Sequence, residues 1–159
     1  MTPAINAAKK RKIAYTVHQY DHEPGHDSYG KEAAEKLGFA EERVFKTLVV
    51  QLERSTLAVA VIPVATMLSM KLIAKATGSK KAAMADKDLV EKTTGYVLGG
   101  VSPLGQKKRL VTVIDSSAKS FSTIFVSAGR RGLDIELRPA DLAALTAATF
   151  AEIRQGIDG

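Results

Sequence analysis

Short apolar runs separated by tight turns, and interleaved with capped amphipathic segments, predict an α+β domain: a mixed, largely antiparallel sheet flanked by helices. Three observations carry this expectation. Residues 44–52 (Val-Phe-Lys-Thr-Leu-Val-Val-Gln-Leu) are apolar at both parities, which marks a strand covered on both faces. Glu53-Arg54-Ser55 then turns the chain into Thr56 to Ile62, a second apolar strand and hairpin partner of the first. Helix signals recur between the strands. Thr2-Pro3, Ser69 and Asp86 stand where a cap is wanted, and Gly38 and Gly78 stand where helices stop.

The remaining elements follow in order. A first helix runs from Pro3 to about Arg11, and the cations Lys9, Lys10, Arg11 and Lys12 suit the negative end of its dipole. Ile13 to Tyr20 alternates as a strand, and Asp21 to Ser28, with Pro24-Gly25, reads as a loop. Gly30 to Leu37 is a short amphipathic helix, followed by a turn at residues 40–43. Helices at Met70 to Thr77 and from Asp86 to about Lys92 enclose a short strand within Lys80 to Met84. Tyr96 to Leu98, Leu110 to Asp115, Phe121 to Ser127 and Leu133 to Leu137 read as strands, with a basic turn at Ala128 to Gly132. Pro139 opens a last helix to about Ala147, Thr149 to Ile153 adds an edge strand, and residues 154–159 fray.

A length of 159 residues suits a single domain over residues 1–159 with a real core, and no linker or internal repeat divides it. Hydrophobic residues make up 45%, too many for a disordered chain. No apolar run reaches membrane-spanning length and no signal-peptide pattern opens the chain, so a cytoplasmic protein with no membrane partner is expected. The absence of cysteine excludes disulfides, thiolate metal sites and a protein thiol nucleophile. A net charge of +6 suits a polyanionic partner.

The segment Thr94 to Arg109 is the most distinctive. It holds four glycines and a proline in sixteen positions and ends in Lys107, Lys108 and Arg109. Glycines at this density serve either turns or a ligand held by bare amides. Gly100 and Gly105 have the spacing that opens a phosphate loop, but Gln106 precedes Lys107, no Ser or Thr follows, and the next residues are strand-like rather than helical. The nucleotide-hydrolase reading fails. The three histidines, His18, His22 and His26, are spaced four apart, which would align metal ligands on a helix. Extended backbone at Tyr15-Thr16-Val17 and the Pro24-Gly25 break remove that meaning, so neither metal nor cofactor is expected.

Nor does a hydrolytic nucleophile emerge. Ser102 lies in Gly-Val-Ser-Pro-Leu-Gly, not in a nucleophile elbow, and every histidine lies before residue 27. Asp134 and Glu136 share a strand face and read either as general acid and base or as solvated edge-strand carboxylates. Lys46 is the most informative residue. Inside an apolar strand it either extends its ammonium outward or is held at a pocket edge to polarise a carbonyl or hold a phosphate. Such a site binds and positions, and any catalysis runs through preorganised donors rather than covalent attack.

The blocks Thr2-Pro3-Ala4, His18-Gln19-Tyr20-Asp21-His22, Phe45-Lys46-Thr47-Leu48 and Met84-Ala85-Asp86, together with Thr94-Gly95-Tyr96, Gly99-Gly100-Val101-Ser102-Pro103-Leu104-Gly105-Gln106-Lys107-Lys108-Arg109 and Val126 to Leu133, resemble the YbaK family in order over nearly the whole chain. These are small deacylases acting on Cys-tRNA(Pro), similar to the editing insertion of bacterial prolyl-tRNA synthetases. The resemblance implies that Lys46 is the essential lysine. It implies too that Tyr20, Thr47, Gly99, Gly100, Ser127, Gly129 and Asp134 line the pocket for the aminoacyl end of the tRNA. In the family's proposed route the substrate's own thiol attacks its ester, giving a thiolactone and released tRNA. Lys107, Lys108, Arg109, Arg130 and Arg131 are expected to rim that pocket and meet the acceptor end of aminoacyl-tRNA. Prolyl-tRNA synthetase is a further expected partner. Ala128 departs from the glycine of the family pattern, and its methyl is expected to narrow the pocket. The family also contains alanyl-tRNA deacylases, and a non-catalytic tRNA- or synthetase-binding module is the alternative class.

Overall fold

The computed structural model describes residues 1–23 and 29–156. Most of the expected Asp21 to Ser28 loop, with His26, lies outside the described residues, as do the last three residues. Helices are α1 (Pro3–Lys10), α2 (Tyr29–Leu37), α3 (Met70–Ala76), α4 (Lys87–Thr94) and α5 (Pro139–Thr146). Strands are β1 (Tyr15–Gln19), β2 (Phe45–Gln51), β3 (Leu57–Pro63), β4 (Ala83–Met84), β5 (Val111–Asp115), β6 (Ile124–Arg130), β7 (Leu133–Leu137) and β8 (Thr149–Ala151). The helix starts follow the caps read from sequence. Thr2 Oγ1 accepts from Ile5 N–H, Ser69 Oγ from Leu72 N–H and Asp86 Oδ2 from Asp88 N–H.

The fold is α+β, but its strands divide into two sheets. The larger has the order β4-β2-β3-β5-β8. Its β2–β3 hairpin pairs antiparallel from Phe45↔Pro63 to Gln51↔Leu57, while β3–β5 and β5–β8 are parallel. The smaller sheet, β1-β7-β6, is antiparallel throughout. A single parallel bridge, Val44↔Phe125, joins the two at the start of β2.

Burial explains this division. The main core lies where Phe45, Val49, Val59 and Ile114 of the large sheet meet Val126 and Ile135 of the small one, closed by α1 and Leu142 of α5. Val50, Ala60, Ile62 and Val113 face the other way, onto Ile73 of α3 and Ile153. A third cluster packs Ala33 and Ala34 of α2 onto Val44, Val64 and Phe125. The large sheet is therefore covered on both faces, which is why β2 and β3 read as nearly continuous apolar runs.

Three expectations need correction. Tyr96 to Leu98 is not a strand. Helix α4 stops at Gly95 in the left-handed region (φ 83), Tyr96 turns inward with its hydroxyl donating to Leu104 O at 2.6 Å, and Val97 and Leu98 stay 70% and 44% exposed. Ala128 to Arg130 belong to β6 rather than to a turn, because a bulge between Ser127 and Arg130 lets the strand continue. The tail is held further than expected. Arg154 bridges Leu68 and reaches the buried Asp115 carboxylate at 3.1 Å, and Gln155 N–H donates to Met67 O.

The glycine-rich segment is shaped mainly by close backbone packing. A Cβ on Gly105 (φ +65) would stand 2.4 Å from Pro3 O, and one on Gly100 would stand 2.8 Å from Arg130 Cα. These contacts press the segment against the start of α1 and the end of β6, and only glycine permits them. Gly105→Ala is therefore expected to lower stability by about 2 kcal/mol or more, since it combines left-handed strain with a backbone clash. Urea unfolding of the two proteins checks it, and an unchanged midpoint would show that the loop does not bear on α1.

Candidate active site

The Val44↔Phe125 bridge sets the geometry of the site. Two residues farther along these parallel strands come Lys46 on β2 and Ser127 on β6, on the same face as the bridge pair. Ser127 pairs directly with Asp134 of β7, and Asp134 with His18 of β1. Tyr20 lies two residues beyond His18, its N–H donating to Gly132 O at 2.9 Å. Lys46, Ser127, Asp134 and Tyr20 thus form a row across the seam between the sheets. Four of the expected pocket residues are gathered by register alone.

The Lys46 ammonium is half-buried and makes no hydrogen bond or ion pair with any described residue. Burial, and secondarily the nearby Lys31, hold its pKa below the ordinary lysine value. The carboxyl of Asp134 is 7% exposed, and burial pushes its pKa up to about 7. It lies on the central strand of its sheet, so the solvated edge-strand reading is corrected. Burial and the proximity of Asp134 raise the Tyr20 hydroxyl to about 12, which keeps it a proton donor across the physiological range.

The glycine-rich turn closes one end of the row. Ser127 Oγ donates to Gly100 O at 3.2 Å and accepts from Gly129 N–H at 3.1 Å. Leu98 N–H donates to Glu91 Oε2 at 2.8 Å, and Gly100 N–H to Val97 O at 2.9 Å. The Gly100 amide is therefore committed to its own turn rather than bare. Gly99 adopts φ 94 within that turn, and Gly129 adopts φ 114 while packing against Tyr96.

Other expected residues lie elsewhere. Thr47 faces the main core, opposite Lys46, with its Oγ1 buried and unpartnered. Ala128 is fully buried in that same core, so its methyl does not narrow the pocket. The expected rim divides. Arg130 and Arg131 abut Gly100, whereas Lys108 and Arg109 stand at the start of β5. With Ala58↔Val111 and Lys46↔Ile62 in register, that start is four residues, or about 13 Å, down the sheet from Lys46. Lys107 is exposed, with its N–H donating to Thr94 O.

Two clusters escaped sequence reasoning. Glu32 of α2 is wholly buried, bonding His22 Nδ1 at 2.6 Å and accepting from Glu23 N–H at 2.8 Å, so it ties the segment after Tyr20 to α2. Glu136 binds His18 Nε2 at 2.8 Å and, with Thr123, anchors Arg43 over Phe125. Neither pairing is visible in local spacing, because each joins residues from separate elements. Among the described residues no group of three or more His, Cys, Asp or Glu could hold a metal ion, and no helix is long and apolar enough to cross a membrane.

The model of the aminoacyl-tRNA editing domain matches residues 22–145, a span that contains nearly the whole row and the glycine-rich turn. The chain belongs to the aminoacyl-tRNA editing domain family. A protein of Enterococcus faecalis named as a candidate Cys-tRNA(Pro)/Cys-tRNA(Cys) deacylase, EbsC, is 41% identical over 96% of this chain and 92% of its own length. YwhH of Bacillus subtilis is 29% identical over 71% of each chain. A solved structure described as a candidate trans-editing enzyme for prolyl-tRNA synthetase superposes with a TM-score of 0.84 at 22% identity, over 97% of this chain and 96% of that one. That likeness shows the fold that this editing domain shares.

Asp134 gives the site a pH signature. Its folded pKa of about 7 lies above the ordinary carboxyl value of 3.8, so its contribution to stability is present below that value and is lost as pH rises toward 7. The difference in urea midpoint between the unsubstituted protein and Asp134→Asn should shift in the variant's favour between about pH 4 and pH 7 and level off above. A difference independent of pH would show that Asp134 does not titrate in that window.

Proposed function

We propose that this editing domain removes cysteine from mischarged Cys-tRNA(Pro), with Lys46 as its catalytic residue. The half-buried Lys46 ammonium, without a partner among the described residues, is the observation that carries this reading. A cation held out of water needs a counter-charge, and the anion that develops on an ester carbonyl under attack supplies one. Tyr20, Ser127 and Asp134 stand in the same row and offer hydroxyls and a carboxyl to hold the aminoacyl group. Gly99, Gly100 and Gly129 shape the turn beside them, Thr47 backs β2 from the core side, and Arg130 and Arg131 flank the entrance for the acceptor end. The name of EbsC, which gives both Cys-tRNA(Pro) and Cys-tRNA(Cys), supports this choice of substrate with Cys-tRNA(Cys) as its alternative, and prolyl-tRNA synthetase in the cytoplasm is the proposed partner.

The protein contains no cysteine, and its histidines are bonded to carboxylates or lie outside the described residues. The nucleophile in this reading is the substrate's own thiol, as the family resemblance implies. Its sulfur attacks the ester carbonyl, a carbon–sulfur bond forms, the bond from that carbon to the terminal ribose oxygen breaks, and the thiol proton passes to the departing oxygen. The products are cysteine thiolactone and uncharged tRNA. Holding thiol and ester together converts the step into an oriented intramolecular reaction, for which effective molarities of about 10⁵ M or more are reached.

Lys46→Ala is expected to fold normally and to lose at least about a hundredfold in kcat, the scale on which oxyanion-stabilising donors act. Lys46→Arg should fail as well, because a planar fork cannot occupy the place of a compact ammonium. Single-turnover deacylation measures both, and near-normal turnover by the Ala variant would remove Lys46 from the mechanism. Comparison of substrates tests the nucleophile separately. Cys-tRNA(Pro) should react far faster than Ser- or Ala-tRNA(Pro), with a sulfur-containing cyclic product that can be trapped. Equal rates, or linear cysteine carrying solvent oxygen from the first turnover, would point to an activated water instead.

A further inference from the structure

Two surface clefts, of about 280 and 390 Å³, meet at Arg109 and Leu110, and Lys46 lines neither of them. The first lies between the end of α1, the 103–106 loop and the end of α5. The second runs from there to the β2–β3 turn and α4. Lys10 and Arg11 line the first cleft, Lys108 the second, and Arg109 both. Among the described residues no carboxylate lines either one, although the chain carries 17 Asp and Glu residues. All four cations are exposed, and none makes an ion pair with a described residue. Arg109 Nη2 reaches Leu145 O at 3.5 Å, which places its guanidinium at the junction.

Lys10 also complements the negative end of α1, but the helix dipole accounts for neither Lys108 nor Arg109, which come from another part of the chain. We propose that the joined clefts form a phosphate track for an RNA backbone, engaging the duplex part of the tRNA while its single-stranded 3′ end reaches Lys46. The proposal rests on the reading of tRNA as substrate and adds Lys10 and Arg11 to the surface that binds it. The cations are strung along two clefts rather than converging on one point, so a repeating polyanion fits them and a single phosphate cannot touch all four. Ser55, Thr56 and Thr93 add hydroxyls along the second cleft, the side-chain chemistry that pairs with phosphate oxygens. The track begins about 13 Å along the strands and two strands over from Lys46, on the sheet face that carries Leu57 and Leu110 rather than the face of Lys46, which separates positioning of the nucleic acid from chemistry on the ester.

Binding of uncharged tRNA to the full chain, followed by fluorescence anisotropy across a salt series, tests the track. Lys10→Gln/Arg11→Gln should weaken binding and flatten the log–log salt slope by about 0.7 to 0.9 for each phosphate that the protein no longer neutralises. Arg109→Gln should do the same. On full-length aminoacyl-tRNA the Lys10/Arg11 variant should show a several-fold higher KM with kcat retained, while an aminoacylated 3′-terminal fragment, too short to reach the track, is turned over as by the unsubstituted protein. An unchanged slope together with an unchanged KM would overturn the proposal. So would a failure of the unsubstituted protein to bind tRNA at all. If the unsubstituted protein deacylates neither substrate yet binds tRNA with a slope that depends on Lys10 and Arg11, the track stands and the deacylase reading falls.

Discussion

Lys46 can stand in a packed strand because β2 is covered unevenly along its length. Val49 and Val50 are buried from both sides, whereas Lys46, Thr47 and Leu48 are only partly covered. Near its start β2 passes from the shelter of the large sheet to the seam with β6, marked by the Val44↔Phe125 bridge. At such a seam two sheets pack by their faces without merging, and a polar side chain keeps a route to solvent while its stem lies in the protein. The row of Tyr20, Ser127 and Asp134 exists for the same reason. Each belongs to the small sheet on the side away from the main core, so each can be polar without breaking the packing of Val126 and Ile135.

The electrostatics of this row are set by burial rather than by ion pairing. Desolvation lowers Lys46 and raises Asp134, moving both toward their neutral forms. Among the described residues no opposite charge pairs with the lysine, and Lys31 adds to the positive field around it. The charged pairs of this region border the row. Glu136 is occupied by His18 and Arg43, and Glu32 by His22. The ammonium of Lys46, without an ion-pair partner among the described residues, is available to an anion that develops during reaction.

How much of this was legible in the sequence depended on the range of the interaction. Caps at Thr2, Ser69 and Asp86 act within one helical turn, and those elements were placed to within a residue or two. The two-sided burial of β2 was legible because it leaves apolar residues at both parities. The failures share another cause. Tyr96 to Leu98 has strand composition, but the left-handed Gly95 and the Tyr96–Leu104 hydrogen bond override it, and both depend on the fold around them. The glycines of the same segment suggested bare amides for a ligand. At Gly100 and Gly105 they proved to be places where one backbone presses on another, a neighbour 30 or more residues away in sequence. The basic rim was misplaced for a related reason. Proximity in sequence put Lys108 and Arg109 beside the Gly99-Gly100 pair, but the intervening loop carries them to the start of β5, away from Lys46.

The order of strands in the large sheet bears on how the chain is made. β5 pairs with β3 on one side and β8 on the other, and β8 (residues 149–151) follows β5 by more than 30 residues in the chain. While the polypeptide is being synthesised, the hairpin of β2 and β3 can form early and β5 can dock beside it. The outer edge of β5 then stays open, with its N–H and C=O groups unpaired, until residues 149–151 have been made and can pair with it. An uncovered edge beside the apolar run of β3 is a surface on which neighbouring nascent chains can add strands. The short β8, pinned just beyond its end by Ile153 and Arg154 on the buried Asp115, is the piece that ends that exposure.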